Sequence, residues 1–293
     1  KFPLLAVENH CIISKDADIT VCFRVQLPEL FTVASVEYEA IHSAWHKGIK
    51  TLPDYTVIHK QDWYIKENYV PDSAGEDHSF LAKSYQQHFN ERPFLNHYCY
   101  LFLTKTTKER MQTQSNFSSL CKGVLIPKEI RDKEIHRFME SVAQFERIVN
   151  DSDFVKLERL TEEEIIGADG KQGVLEQYLT LSKEAGTSMQ DIALGAEEVR
   201  IGNKRLSLHT LSDTDDLPAT ISAKSRYEKL STDRSDCLLS FAAPVGLLLA
   251  CNHIYNQYLF LDNSEDNLRK FEKSAKNMHA LARYSRENQI NKE

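Results

Sequence analysis

Residues Leu4 to Ser14 and Ile19 to Leu27 form two runs rich in β-branched and aromatic side chains, with polar residues interleaved. Such runs read as strands, and Lys15-Asp16-Ala17-Asp18 between them has the composition of a hairpin turn. The period then changes. Tyr38, Ile41, Trp45, Ile49 and Leu52 recur three or four positions apart, so Val36 to Leu52 predicts a helix with one apolar face. Asp54 to Ile65 returns to a strand pattern, Ser79 to Glu91 reads as a helix capped near Ser79, and Tyr98 to Thr104 as a central strand. The amino-terminal order is therefore β-β-α-β-α-β, with helices on one face of a mixed or antiparallel sheet.

A polar stretch from Lys105 to Lys122 follows and reads as a loop. Pro127 is suited to the first turn of a helix. Beyond it, Ile135, Phe138, Val142, Phe145 and Val149 form a continuous apolar stripe that needs a partner surface. Phe154 to Leu160 predicts a strand. Thr161-Glu162-Glu163-Glu164 has the spacing of a capping box, in which the threonine and Glu164 satisfy each other's backbone N–H groups. Helical patterning resumes over Leu175 to Leu181, interrupted beforehand by Gly167, Gly170 and Gly173. Gly202-Asn203 joins two short runs as a hairpin, His253 to Leu261 is a strand, and Leu268, Phe271, Ala275, Met278 and Leu281 mark a closing amphipathic helix. The fold class expected is α+β in two lobes, residues 1–126 and 127–293, ending in that long helix.

Composition narrows the partners. The formal charge of −7 disfavours nucleic acid on average, so such contact would need a local basic patch. Lys105, Lys108, Arg110 and Lys122, with Glu109 the single acid among them, supply one. It reads either as a solvated loop or as a contact for nucleic acid or acidic head groups. The six cysteines lack CxxC spacing and read as buried thiols of a cytosolic protein. Cys11 and Cys22 would face each other if residues 15–18 turn a hairpin, but a disulfide between neighbouring strands is strained, and two thiols are expected. No secretory pattern opens the chain. The longest uncharged stretch, Cys237 to past Cys251, contains Pro244 and Gly246 and is shorter than the ~20 apolar residues of a spanning helix. It reads as core, or as a docking surface built on Leu238, Leu239, Phe241, Pro244, Leu247 and Leu248.

The chemistry-bearing patterns are incomplete. The nearest approach to a phosphate loop, Gly167-Ala168-Asp169-Gly170-Lys171-Gln172, lacks the hydroxyl after the lysine, and Ile165 occupies the required glycine position. His42 and His46 have chelating spacing on the predicted helix, but Ser43 replaces the glutamate of HExxH and no third ligand is apparent. His10 and Cys11 are adjacent strand residues and point to opposite faces. Lys60, Asp62 and Trp63 read as a buried aromatic flanked by an ion pair.

Several strings resemble the amino-terminal region of the TraG family of conjugative-transposon ATPases of Bacteroides-type mobile elements. They are Lys60-Gln61-Asp62-Trp63, His88-Phe89-Asn90-Glu91-Arg92-Pro93, Tyr100-Leu101-Phe102-Leu103-Thr104-Lys105-Thr106, Leu239-Ser240-Phe241-Ala242-Ala243-Pro244, Asn252-His253-Ile254-Tyr255-Asn256-Gln257-Tyr258 and Tyr284-Ser285-Arg286-Glu287-Asn288. They run in order along nearly the whole chain. The resemblance implies part of a cytoplasmic motor, peripheral to the inner membrane, that serves type IV secretion. Its ATP and Mg²⁺ site would lie in a carboxy-terminal domain beyond Glu293, so this chain is expected to hold no cofactor, metal or catalytic residue. The implied partners are inner-membrane subunits, that ATPase domain and neighbouring protomers in a homo-oligomer. Two rival expectations are a nucleic-acid-binding accessory module using the basic stretch, and a stand-alone enzyme assembled from scattered His, Asp and Glu.

Overall fold

The computed structural model describes residues 4–15, 18–28, 33–69, 79–106, 128–168, 170–183, 190–196, 198–211, 225–226, 232, 238–239 and 251–284. The first hairpin is tighter than the alternation suggested. Strand β1 (Leu4–Glu8) reverses at Asn9 and His10 into β2 (Cys11–Ser14). Both turn residues have positive φ, 53° and 59°, the backbone hand that matches strand twist in a two-residue turn. The run expected as one strand is thus two. β3 (Ile19–Gln26) follows, with Ser14 N–H donating to the Asp18 carbonyl at 3.0 Å across the turn.

The central strands are β3, β4 (Thr56–Glu67) and β5 (Phe94–Lys105), and β14 (His253–Phe260) adds to β4. The strand order is β1-β2-β3-β5-β4-β14 with every pairing antiparallel. β6 (Lys156–Arg159) lies beside the second half of β3, whose first half pairs with β2. The register sets Cys11 opposite Val21, not opposite Cys22. Because neighbouring residues of a strand point to opposite faces, Cys11 enters one core and Cys22 the other, both as free buried thiols.

Two long helices cover one sheet face, α1 (Ser35–Ile49) and α3 (Lys128–Asn150); α2 (Phe80–Asn90) lies between them in sequence. Ile41, Trp45 and Ile49 of α1, with Leu52, meet Phe138, Val142, Phe145 and Val149 of α3 over Val21, Phe23, Ile58, Leu101 and Leu103. The predicted stripes are therefore the core. Trp45 and Phe145 pack edge to face at 5.5 Å, and a Cβ on Gly48 would sit 3.0 Å from the Phe145 ring, so glycine sets how closely α1 and α3 approach. Asn150 pins the end of α3 to β6, its amide accepting from Leu157 N–H at 2.7 Å and donating to the Leu157 carbonyl at 3.1 Å.

The opposite face carries a second core of Ile12, Cys22, Trp63, Tyr100, Leu160, Ile165 and Val174. Short helices α4 (Glu162–Ile166) and α5 (Val174–Thr180) close it. Thr161 and Glu164 form the expected capping box, and Glu164 also accepts from Arg24 of β3 at 2.7 Å. Between the helices, β7 (Gly167–Ala168) pairs with β8 (Lys171–Gln172), which places the incomplete phosphate-loop pattern in a hairpin. A separate three-stranded sheet of β9 (Ile192–Leu194), β10 (Val199–Ile201) and β11 (Lys204–Leu206) turns at Gly202, whose φ of 58° suits glycine. β12 (Ser225–Arg226) pairs with β13 (Leu238–Leu239). α6 (Ser264–Tyr284) comes last.

The fold class is α+β with antiparallel sheets. The boundary expected after residue 126 runs through one packing unit, because α3, β6 and β14 complete the sheet and core begun by residues 4–106.

Candidate functional site

Strand β4 carries three of the four buried polar side chains among the described residues, Thr56, Gln61 and Asp62. Register places His97, Tyr64 and His253 in one row across three strands, and their rings stack at 4.7 and 4.6 Å. One position along β4 on the same face lies Asp62, opposite Cys99 and Tyr255. Asp62 is 3% exposed and accepts from His97 Nε2 at 2.8 Å and from Lys60 Nζ. Burial alone would raise its carboxyl pKa, but the His97 hydrogen bond and the Lys60 charge outweigh it and hold the group below the usual carboxylate range. Burial pushes the neighbouring Cys99 thiol up to about 12. A thiol so protonated is no nucleophile near neutrality. The arrangement is a paired buried charge that fixes the register of β4 and β5.

The other face carries a network that ties in the edge strand. Gln61 accepts from the Trp63 indole N–H at 2.7 Å and donates to Asn256 Oδ1 at 2.8 Å, and His59 Nε2 meets the same oxygen at 2.8 Å. His59 lies between Phe102 and Tyr258, at 5.3 and 4.2 Å, and burial holds its pKa below the usual value despite the Asn256 contact. Further along the face, Lys183 caps the second core with its ammonium 2.8 Å from the Tyr98 ring centre. Burial lowers its pKa to about 8.

Toward the other end of β14, beside His59 to Val57, apolar side chains become exposed. Among the described residues β14 pairs only with β4, which leaves its outer edge without a strand partner. Tyr258, Leu259 and Phe260 are 56%, 45% and 44% exposed, so three consecutive residues expose apolar groups, alternating between the two faces of the strand. The chain then turns, held by hydrogen bonds. Leu261 N–H donates to Thr56 O, Tyr55 N–H donates back to Leu261 O, and Asn263 caps α6 by accepting from Asp266 N–H at 3.0 Å. Asn263 also donates to Asp54 Oδ2 at 2.6 Å. Beyond that anchor every residue from Leu268 to Ala280 is exposed, including Phe271 at 72%. Contiguous exposed apolar surface of this kind marks an interaction site. A smaller patch lies on α2, where Phe80, Leu81, Tyr85 and Phe89 are exposed.

The residues singled out in the sequence fare unevenly. Lys105 is the last residue of β5, paired with Ile19 and Thr56, and its ammonium donates to the Asp54 carbonyl and lies 5.6 Å over the Tyr55 ring. It belongs to the sheet and not to a basic loop. Lys108, Arg110 and Lys122 lie outside the described residues, as do Phe241, Pro244, Leu247 and Leu248 of the expected docking stretch. Leu238 and Leu239 form β13, opposite Arg226 and Ser225. His42 and His46 are exposed on α1 with parallel rings 6.5 Å apart, and no cluster of three metal-ligating side chains occurs among the described residues. Lys60, Asp62 and Trp63 are the expected ion pair and buried aromatic, although β4 continues past them and Trp63 faces the opposite core. The apolar edge of β14 was visible as three consecutive apolar residues, Tyr258 to Phe260, in a strand otherwise half polar. No described helix is long and apolar enough to cross a membrane.

Residues 1–43, which span the β1–β3 hairpins and the first half of α1, match the family DUF3875, described as a domain of unknown function, B. Theta gene description. No curated protein matches the chain.

Proposed function

We propose that this chain is a non-catalytic assembly and docking region of a conjugative-transfer ATPase of the TraG type, working at the cytoplasmic side of the inner membrane. The carrying observation is the surface formed by β14 and α6, where a strand edge unpaired among the described residues and an exposed amphipathic helix adjoin at a hydrogen-bonded corner. A folded region that presents an apolar surface outward is suited to holding protein partners, here inner-membrane subunits and neighbouring protomers. The TraG-like strings support the identity of the machine. Three of them are the adjacent strands β4, β5 and β14, so they are signatures of how this sheet end is built. On this reading ATP and Mg²⁺ act in a separate carboxy-terminal domain, and this chain transmits attachment.

The test uses the full-length gene in donor cells that carry the mobile element. A photo-crosslinking phenylalanine analogue at Tyr258 or Phe271 is expected to capture proteins encoded by the same element, identified by mass spectrometry. The same analogue at Arg147, on the exposed back of α3, is the control. Wild-type transfer from donors lacking the gene would overturn the reading.

A further inference from the structure

We infer that His42 and His46 of α1 form a surface site for one divalent transition-metal ion of the class that prefers imidazole, such as Ni²⁺ or Zn²⁺. The two histidines are one helical turn apart and both are exposed. Residues four apart on a helix are neighbours, the spacing of paired histidine ligands on metal-binding helices. Here the rings are parallel to within 2°, with centres 6.5 Å apart. Among the described residues neither ring has a hydrogen-bond or ion-pair partner, so their nitrogens are open to a ligand. Two imidazole nitrogens on one tetrahedral ion, each bonded at ~2.0–2.1 Å, stand about 3.3 Å apart. Rotation of two exposed side chains closes that gap without moving the backbone.

The backbone is held for the purpose. On the opposite side of α1, Ile41, Trp45 and Ile49 pack into the first core, and Gly48 lets the helix lie against the Phe145 ring. Ligands on a packed helix keep their spacing better than ligands on a loop. Exposed Glu39 lies about one turn before His42 and exposed Lys50 one turn after His46, so the charges flanking the pair offset each other. Lys47 projects from a different side of the helix. Two protein ligands leave a four-coordinate ion two positions for water or for a donor from another molecule. Ser43 stands where a hydrolytic zinc helix has its glutamate, so the pair holds an ion without the general base of that chemistry.

The inference is independent of the docking reading, and its test needs no conjugation apparatus. Titration calorimetry of the full chain with NiCl₂ is expected to show a binding step that H42Q and H46Q each weaken at least ~100-fold, because the second imidazole acts at high effective concentration only when the first is in place. H46Q/K47H keeps the number of histidines and moves the second ring off the shared line, and is expected to lose the step as well. All three changes are on the exposed side of α1 and are expected to leave the circular dichroism spectrum unchanged. Nickel is expected to quench the fluorescence of Trp45, which adjoins His46 in the first core, and to spare that of Trp63 in the second. A parental dissociation constant weaker than ~1 mM would overturn the proposal. So would parental affinity in H42Q or H46Q. Parental affinity in H46Q/K47H would also overturn it, since histidine content and not spacing would then bind the ion.

Discussion

Helices α3 and α6 are of nearly equal length, 23 and 21 residues, and both carry an apolar stripe with polar residues elsewhere. Their fates are opposite. Phe138, Val142, Phe145 and Val149 of α3 are at most 2% exposed, whereas Leu268, Phe271 and Met278 of α6 are 60%, 72% and 42% exposed. The difference lies in what the chain places next to each helix. α3 lands on a sheet face whose inward residues, among them Val21, Phe23, Leu101 and Leu103, are apolar, and it ends where Asn150 can clamp β6. α6 leaves from β14, fixed to Asp54 through Asn263 just before its first turn, and its stripe is left exposed. A stripe says that a helix wants a partner, and only its place in the topology says whether the chain supplies one.

That contrast is most sharply broken by truncating one stripe and then the other. Phe145→Ala removes a fully buried ring packed on Trp45 and is expected to cost about 3–5 kcal/mol in denaturant unfolding. Asp62→Ala leaves Lys60 and His97 without their shared carboxylate and is expected to cost about 2 kcal/mol at neutral pH. The folded pKa of Asp62 lies below its ordinary 3.8, so that contribution is complete above pH 3.8 and is lost as pH falls through the lower folded value. The acid limb of a stability profile should therefore flatten in the variant. His59 gives a smaller effect of the same sign. Its folded pKa lies below the usual 6.5, so the unfolded chain takes up a proton first and stability declines as pH drops beneath 6.5. His59→Gln should remove that decline, worth under about 1 kcal/mol, in melts compared at two pH values. Smallest of all, Phe271→Ser on α6 should leave unfolding within about 0.5 kcal/mol of the parent.

Thiol chemistry separates the two regions in another way. Cys11, Cys22 and Cys99 are buried, and burial pushes the latter two thiols up to about 12. Brief treatment of the native protein with an alkylating reagent at neutral pH, read by peptide mass spectrometry, should leave all three unmodified and label Cys251, which is exposed at the start of β14.

The sequence made the covered region legible and the open one only half so. Stripes through Trp45 and Phe145, the cap at Ser79, the Thr161 capping box and the Gly202 turn are local signals, and each is where its spacing put it. Three features were beyond local reading. The turn at Asn9-His10 carries no glycine, and the tolerance of Asn and His for positive φ is a weaker marker than glycine. The pairing of β6 with β3 and of β14 with β4 joins residues more than a hundred positions apart, which is why a boundary at 126 looked natural. The role of Lys105 depends on Tyr55 and Asp54, which only strand register brings beside it. That the stripe of α6 stays exposed is not a local signal either, because its spacing is the same as that of a covered helix.

On the proposed function, the stripe of α6 serves assembly and not folding. The most direct measurement is conjugative transfer from donors whose full-length gene carries L268S/F271S, with cellular protein kept at the parental level. The expected result is an unchanged melting profile for the isolated chain and a fall in transfer of at least ~10-fold, the consequence of losing about 1.4 kcal/mol of contact. Parental transfer from those donors would contradict it, because the exposed stripe would then serve no partner in the machine.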